Sequence, residues 1–308
     1  MQKHSAKLVY VAALPYSGST VFSIALGNSQ RFLNIGEAKF IENDWNDSSL
    51  CYCQKPLSKC SFWVRFMRAR DITSDDSESA IRLDNRSTLR DLDSRRLPFV
   101  KMLLADIGIP LPLVFGARTV NEYVGGTTEL VNCLTQEFEP AFIVDASKSL
   151  RRLKALRHHS GLEVKVIVLH RRLHDLLASR LKRARLRNPS YSPLLSPIYL
   201  MWVCLRKARM KWMARRLRPE DCLEINYEEF CDTPKSLERK ISAWLGASVD
   251  FGIDDEGVIN TDDCHIFTGN VGVTKRHGRE NGIPLRRTRA SLKECTLIER
   301  VVLGIARK

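Results

Sequence analysis

The pattern of apolar and polar positions along the chain predicts strands that are each followed by a helix. Residues 8–14 form an apolar run rich in β-branched and aromatic residues, which predicts a buried strand. Residues 164–170 are apolar at nearly every position, as expected of a strand buried on both faces. Shorter strands are predicted over residues 31–36, 141–144 and 222–226. This alternation predicts an α/β fold with a mainly parallel central sheet of about five strands flanked by helices.

The predicted helices fill most of the remaining chain. One starts after the first strand, and others cover residues 81–107, 120–136, 174–187, 197–218, 234–245 and 290–306, with a basic helix that ends at His159. Residues 108–116 are rich in helix breakers and are predicted to be a loop. Residues 41–63 are irregular and are interpreted as an insertion. The whole chain, residues 1–308, is interpreted as one domain.

Five sequence-distant segments follow the predicted strands directly. In parallel α/β sheets a ligand binds at the carboxyl ends of the strands, so these segments are expected to converge on one cleft. They are Tyr16–Thr20, Gly36 with Glu37, Asp145–Lys148, Arg171–Ser179 and the residues after Asn226.

The turn after the first strand, PYSGST at residues 15–20, is the main candidate for anion binding. A strand, a short Ser/Gly turn and a helix direct successive backbone N–H groups and a helix N-terminus at one anion. An ordinary turn with a Ser/Thr cap is the alternative. The turn is not a Walker loop, because Ser19 occupies the position of the Walker lysine and the upstream glycine is missing.

Composition and charge narrow the class of protein. The chain has 308 residues, 44% of them hydrophobic and 27% charged, which is typical of a globular protein. A net charge of +14 indicates polyanionic partners. The N-terminus weakly resembles a signal peptide, but its short apolar run leads into the Ser/Gly turn and is interpreted as the first strand. No apolar run is long enough to span a membrane, and a cytoplasmic protein is expected.

Basic residues are concentrated between Val164 and Arg218, where fifteen Lys and Arg residues accompany one acid, Asp175. Such a segment is either an anion-binding surface or a solvated face. Within it, Arg171 directly follows a strand and Ser179 lies two turns into the next helix, where both could reach one phosphate. Trp202 and Trp212 occur at helical spacing in this segment and are predicted to be core residues.

Nine cysteines are present, and only Cys51, Cys53 and Cys60 are close together in sequence. A structural zinc site or a local disulfide are the alternatives for these three. No fourth ligand is evident at zinc-like spacing, so ordinary thiols are favoured and no metal is predicted.

Several motifs together resemble those of the PAPS-dependent sulfotransferases, the bacterial and Golgi members in particular. PYSGST resembles the family's 5′-phosphosulfate loop, and VKVIVLHRRLHDLLAS at residues 164–179 resembles its 3′-phosphate segment. Further matches are IGE at Glu37, VDASKS at residues 144–149, the Cys-rich CYCQKPLSKCSFW at residues 51–63, NYEEFCDTP at residues 226–234, HIFTGN at residues 265–270, and Arg276 with Gly278. The matches run in order over roughly residues 7–280.

The resemblance implies a P-loop-like domain that transfers the sulfuryl group of 3′-phosphoadenosine 5′-phosphosulfate (PAPS) in line to an acceptor hydroxyl, leaving adenosine 3′,5′-bisphosphate. It implies Glu37 as the base that takes the hydroxyl proton, with His265 as the alternative base, and Lys148 as a cation near the sulfate. No metal is required. The implied cofactor contacts are Tyr16, Ser17, Gly18, Ser19, Thr20, Arg171, Ser179, Arg276 and Gly278. Two departures are Tyr16, where the family usually has a basic residue, and residues 172–174, which replace Asp-Pro-Arg.

The acceptor side is assigned to residues 41–137, which carry none of the cofactor motifs. Their polar and aromatic mixture suits a carbohydrate or glycolipid hydroxyl, with no nucleic acid partner. Two other functions stay open: a P-loop nucleotide kinase, which would need Mg²⁺ and the missing lysine, and a non-catalytic basic protein that binds nucleotides or nucleic acid. The sequence does not define an oligomeric state.

Overall fold

The computed structural model describes residues 6–40, 50–69, 101, 104–105, 109–188, 190–266, 282–287 and 295–307. The predicted helix over residues 81–107 therefore lies almost wholly outside the described residues. The last helix is described from Leu297 onward.

A parallel sheet of five strands forms the centre of the structure, in the spatial order β2-β3-β1-β4-β5. This confirms the predicted fold class. The strands are β1 (Lys7–Ala13), β2 (Phe32–Asn34), β3 (Phe142–Asp145), β4 (Val164–His170) and β5 (Cys222–Asn226). A separate antiparallel pair joins β6 (Val258–Asn260) to β7 (Gly282–Pro284).

Helices connect the strands and follow the predictions with four differences. They are α1 (Ser19–Gly27), α2 (Ser61–Ala69), α3 (Leu111–Phe115), α4 (Ala117–Phe138), α5 (Leu150–His159), α6 (Leu173–Arg187), α7 (Ser196–Ala214), α8 (Tyr227–Asp232), α9 (Pro234–Leu245) and α10 (Leu297–Ile305). The predicted loop over residues 108–116 contains α3, because Pro110 and Pro112 occupy the start of a helix, where proline is tolerated. Helices α2 and α8 were not predicted, and α2 begins inside the segment of residues 41–63 that was interpreted as irregular. Helix α7 ends four residues early, at Ala214.

The central strands are buried on both faces, as their composition predicts. Successive side chains of β1 point to opposite sides, so Leu8 and Tyr10 belong to one hydrophobic core while Val9 and Val11 belong to the other. All of these side chains have no solvent exposure. The first core lies against α5, α6, α7 and α10, and the second lies against α1, α8 and α9.

The strand order brings the loops after β1, β3 and β4 side by side at the carboxyl edge of the sheet. The chain leaves β3 on one side of β1 and returns as β4 on the other side. This is the type of position at which α/β sheets bind ligands.

A buried ion pair anchors the end of β3. Arg152 Nε donates to Asp145 Oδ2 at 2.9 Å, and both side chains are almost completely buried. The attraction of Asp145 raises the pKa of Arg152 although burial opposes its charge. Asp145 also accepts hydrogen bonds from the backbone N–H and hydroxyl of Ser147, so it fixes the start of the loop that carries Lys148.

We expect Arg152→Met to lower the free energy of unfolding by about 3–5 kcal/mol, because it leaves the Asp145 carboxylate buried without its partner. Urea denaturation measures this loss. The double variant Asp145→Asn/Arg152→Met removes both charges and should recover much of the stability. A loss below about 1 kcal/mol for the single variant would contradict the prediction.

Among the described residues, no helix is both long and apolar enough to cross a lipid bilayer.

Candidate active site at the carboxyl edge of the sheet

The loop after β1 presents the start of α1 with its backbone donors available. Gly18 is the residue that precedes the helix, with φ at 86°, and no side chain caps the first turn. The first N–H groups of a helix have no partner within that helix. Together with the helix dipole, they favour an anion at this position.

Ser17 adds a hydroxyl to this loop. Its side chain is 1% exposed, and within the described part of the chain no hydrogen-bond partner reaches Ser17 Oγ. A buried hydroxyl without a partner costs about 1–3 kcal/mol. A bound oxyanion would remove that cost.

Gly18 is required by its neighbour as well as by its backbone conformation. A Cβ atom at this position would overlap the ring of Tyr227, the first residue of α8. Burial raises the pKa of the Tyr227 phenol well above its usual value. Tyr227 was not predicted to be a site residue, although it lies in the NYEEFCDTP motif.

We expect Gly18→Ala to lower the free energy of unfolding by more than 2 kcal/mol, since left-handed φ strain of about 1–2 kcal/mol adds to displacement of the Tyr227 ring. Gly161→Ala is the matched control, because Gly161 also has a positive φ, 68°, but no described atom lies within 4 Å of an added Cβ. The control should lose only the strain of the left-handed backbone, about 1–2 kcal/mol. Equal losses in thermal or urea denaturation would show that contact with Tyr227 contributes nothing.

Arg171 links the end of β4 to the loop after β1. Its side chain is buried, and Nη1 donates to the carbonyl oxygen of Tyr16 at 2.6 Å. The guanidinium lies 5.3 Å from the centre of the Tyr227 ring, and Lys207 Nζ donates to the carbonyl of Arg171 at 3.2 Å. Arg171 is therefore held in place against the loop after β1.

Ser179 lies in α6, where its hydroxyl donates to the carbonyl of Asp175 at 2.8 Å. To donate to a phosphate, this hydroxyl would have to rotate away from Asp175. Arg276 and Gly278 lie outside the described residues.

Arg180 is a cation near this edge of the sheet that was not predicted from the sequence. Its guanidinium lies 3.8 Å from the centre of the Trp202 ring and 4.8 Å from that of Tyr199. Nε is buried without a partner among the described residues. Burial lowers the pKa of Arg180 and, together with Lys211, that of Lys207. Its position directly after Ser179, a predicted phosphate contact, could have identified Arg180 from the sequence.

Glu37 and Lys148 form a partly buried ion pair between the loops after β2 and β3. Lys148 Nζ lies 2.6 Å from Glu37 Oε1, and Lys39 Nζ lies 3.8 Å from Oε2. The two loops are also joined through the backbone, because Ala146 N donates to Gly36 O at 2.7 Å. The pairing brings the predicted base and the predicted cation into direct contact.

Two residues of this edge adopt the left-handed backbone conformation without being glycine. They are Tyr16, with φ at 71°, and Lys148, with φ at 62°. Each such residue costs of order 1–3 kcal/mol and is found preferentially at functional sites. Their positions support a functional role for the loops after β1 and β3.

His265, the alternative base, lies against cysteine side chains. Its Nδ1 is 3.3 Å from Cys60 Sγ and 3.7 Å from Cys51 Sγ. Because this nitrogen is engaged with thiols, Glu37 is the better candidate for the base.

The two tryptophans of α7 differ from each other. Trp202 packs against the first core between Arg180 and Arg206, in keeping with its prediction. Trp212 is 43% exposed and contacts Arg216, so its assignment to the core is wrong. Helical spacing alone did not distinguish the inner from the outer face, because α7 has apolar residues on both.

Comparison with known proteins is informative at the level of structure. No protein-family model matches the chain, and no curated protein matches it. The sulfotransferase domain from the curacin biosynthetic pathway aligns with a TM-score of 0.50 and 14% identity, covering 97% of both chains. Sulfotransferase STF1 of Mycobacterium tuberculosis H37Rv aligns with a TM-score of 0.46 and 12% identity, covering 81% of this chain and 69% of that one. Sulfotransferase STF9 of Mycobacterium avium aligns with a TM-score of 0.45 and 15% identity, covering 79% of this chain and 64% of that one. The chain has the sulfotransferase fold.

Proposed function

We propose that the protein is a sulfotransferase that moves the sulfuryl group of PAPS to an acceptor hydroxyl. The observation that carries the proposal is the convergence of the uncapped α1 N-terminus, Arg171 and the Glu37–Lys148 pair on the carboxyl edge of the sheet. The order of the motifs and the shared fold support it.

The loop after β1 would hold the 5′ end of the nucleotide. Its N–H groups from Gly18 to Thr20 and the buried Ser17 hydroxyl suit the oxygens of a phosphosulfate. Tyr16 accepts a hydrogen bond from Arg171 through its carbonyl oxygen, but its side chain carries no positive charge. The positive charge near the sulfate would come from Lys148, as proposed from the sequence.

The end of β4 would hold the 3′-phosphate. Arg171 and Ser179 occupy the positions of the arginine and serine in the family's 3′-phosphate motif. Arg276 and Gly278 are proposed as further contacts because they also resemble a family motif. We add Arg180, because its buried Nε has no partner among the described residues and fits an anionic oxygen.

PAPS, when bound, supplies a sulfuryl group that is already activated, so the protein has mainly to position reactants and stabilise charge. Glu37 would take the proton of the acceptor hydroxyl as its oxygen bonds to sulfur. Lys148 would stabilise the negative charge that builds up on the bridging oxygen as the bond between that oxygen and sulfur breaks. The proton would remain on Glu37, and the bridging oxygen would keep both electrons of the broken bond as part of the departing adenosine 3′,5′-bisphosphate.

The acceptor is a molecule with a hydroxyl group, and we retain a carbohydrate or glycolipid as the proposal. This side of the site is assigned to residues 41–137, of which the structure describes 50–69, 101, 104–105 and 109–137.

Neither alternative function is favoured. A nucleotide kinase would need a lysine where Ser19 stands. A nucleic-acid-binding protein would use the exposed Trp212 and the basic face of α7, but it would not need Glu37 paired with Lys148 beside an uncapped helix.

Calorimetric titration tests the cofactor assignment, with adenosine 3′,5′-bisphosphate as the ligand and adenosine 5′-phosphate and ATP with Mg²⁺ as controls. We expect micromolar affinity for the 3′,5′-bisphosphate and at least tenfold weaker binding of both controls, because only the first carries a 3′-phosphate for Arg171. Tighter binding of ATP with Mg²⁺ would favour a kinase. No nucleotide binding, with salt-sensitive binding of nucleic acid, would favour the basic binding protein.

A further inference from the structure

Four side chains from two distant parts of the chain form a cluster outside the proposed active site. Cys51 and Cys53 lie in a short turn, Cys60 precedes α2, and His265 follows β6. Their ligand atoms, three sulfurs and one ring nitrogen, all lie within 4.8 Å of one another. No fourth ligand was evident from the sequence, because His265 is more than two hundred residues away from the cysteines.

Three of the six distances within the cluster are close to the edges of a tetrahedral zinc site, and the other three are at most 4.8 Å. Zinc–sulfur bonds of about 2.3 Å and zinc–nitrogen bonds of about 2.0–2.1 Å give sulfur–sulfur edges of about 3.8 Å and sulfur–nitrogen edges of about 3.6 Å. The Cys53 and Cys60 sulfurs are 3.7 Å apart, and His265 Nδ1 lies 3.7 Å from Cys51 Sγ and 3.3 Å from Cys60 Sγ. A disulfide would bring two sulfurs to about 2.05 Å.

The turn that carries Cys51 and Cys53 is held by its own backbone. Cys51 N donates to the carbonyl of Lys55 at 3.0 Å, and Gln54 N donates to the carbonyl of Cys51 at 3.0 Å. Gln54 has a left-handed φ of 65°, and Leu50 pairs with Pro56 across the turn. The turn therefore holds two thiols on one side at close range.

The imidazole of His265 is fixed from the other side. The ring of Phe62 lies parallel to it, with centroids 5.6 Å apart and 5° between the planes. Trp63 Nε1 donates to the carbonyl of His265 at 2.9 Å, and Tyr52 N donates to the carbonyl of Ile266 at 3.1 Å. Contacts that fix the orientation of a ligand are typical of metal sites.

We propose that Cys51, Cys53, Cys60 and His265 bind one Zn²⁺ ion in a closed structural site. Three soft thiolates and an imidazole in tetrahedral arrangement favour zinc over oxygen-preferring cations. Binding deprotonates the three thiols and releases their protons to solvent. With all four positions filled by the protein, no site remains for a substrate, so the ion has no part in sulfuryl transfer.

The ion would cross-link the segment of residues 51–60 to the segment that follows β6. Cys51 and Cys60 belong to the first hydrophobic core, whereas Ile266, the neighbour of His265, belongs to the second, so the ion would tie the two cores together. Binding zinc only in the folded state would raise the stability of the whole chain.

The experiment is measurement of zinc by inductively coupled plasma mass spectrometry on full-length protein purified without chelator. We expect about one zinc per chain, and at least a fivefold loss of zinc in Cys53→Ser and in His265→Ala. Cys204→Ser is the matched control, because Cys204 is an exposed free cysteine on α7, and it should keep the wild-type content.

A second measurement uses only the wild-type chain, in case the variants fail to fold. Apo protein prepared with a chelator is titrated with Co²⁺, which should give the intense visible bands of tetrahedral cobalt and a thiolate-to-cobalt charge-transfer band, both abolished by added Zn²⁺. The proposal is overturned by zinc far below one per chain together with featureless cobalt spectra, by a disulfide among these cysteines in intact mass, or by equal zinc loss in Cys204→Ser. Neither readout depends on sulfotransferase activity.

Discussion

Replacing Glu37 with glutamine is expected to lower kcat for sulfuryl transfer by about 10²- to 10⁴-fold, the usual contribution of a general base. Glutamine keeps the size of the side chain and an oxygen to face Lys148, but it cannot accept the hydroxyl proton. Affinity for adenosine 3′,5′-bisphosphate should stay within about threefold, because Glu37 does not belong to the proposed nucleotide contacts.

The measurement is turnover with PAPS and an acceptor found by screening hydroxyl compounds, paired with calorimetry. Glu163→Gln is the matched control, since Glu163 pairs with Lys7 in an exposed ion pair at the opposite edge of the sheet. The control should keep wild-type turnover. A Glu37→Gln enzyme with unchanged kcat would rule out this carboxylate as the base.

Replacing Arg171 with alanine is expected to weaken binding of adenosine 3′,5′-bisphosphate by at least about 30-fold, because loss of one partner in a buried charged contact costs about 2–5 kcal/mol. The substitution of Arg171 has two separate effects on the site. It removes the proposed phosphate ligand, and it leaves the Tyr16 carbonyl without the donor that holds the loop after β1.

Calorimetry of Arg171→Ala is compared with that of Arg172→Ala, whose side chain is the exposed neighbour at the end of β4. We expect wild-type affinity in the control. Affinity for adenosine 5′-phosphate separates the two effects: it should fall little if only the 3′-phosphate contact is lost, and strongly if the loop has also moved. Unchanged affinity for the 3′,5′-bisphosphate in Arg171→Ala would contradict the assignment of the 3′ site.

The sheet was predictable because its strands carry a strong local signal. Continuous β-branched and aromatic runs such as residues 164–170 leave few alternatives to a strand buried on both faces. The clustering of Arg171, Glu37 and Lys148 with the loop after β1 was predictable from a rule of topology, which places the carboxyl ends of parallel strands at one edge. No distance was needed for that inference.

The remaining parts depend on contacts between distant residues, which no local pattern encodes. The ring of Tyr227 beside Gly18, the direct contact of Glu37 with Lys148, and the approach of His265 to Cys60 are all of this type. Helix α3 was missed for another reason, because proline and glycine near residues 108–116 mark both loops and helix starts.

The strand order also has a consequence for how the chain folds. The central strand β1 pairs with β3 from Lys7↔Phe142 and with β4 from Leu8↔Val164, so both of its partners are synthesised long after it. Contacts so distant in sequence slow folding, and strands awaiting partners expose apolar surface. A nascent chain that ends before residue 142 holds its most apolar strand with neither neighbour, and it is at this stage of translation that a chaperone would protect the protein from aggregation.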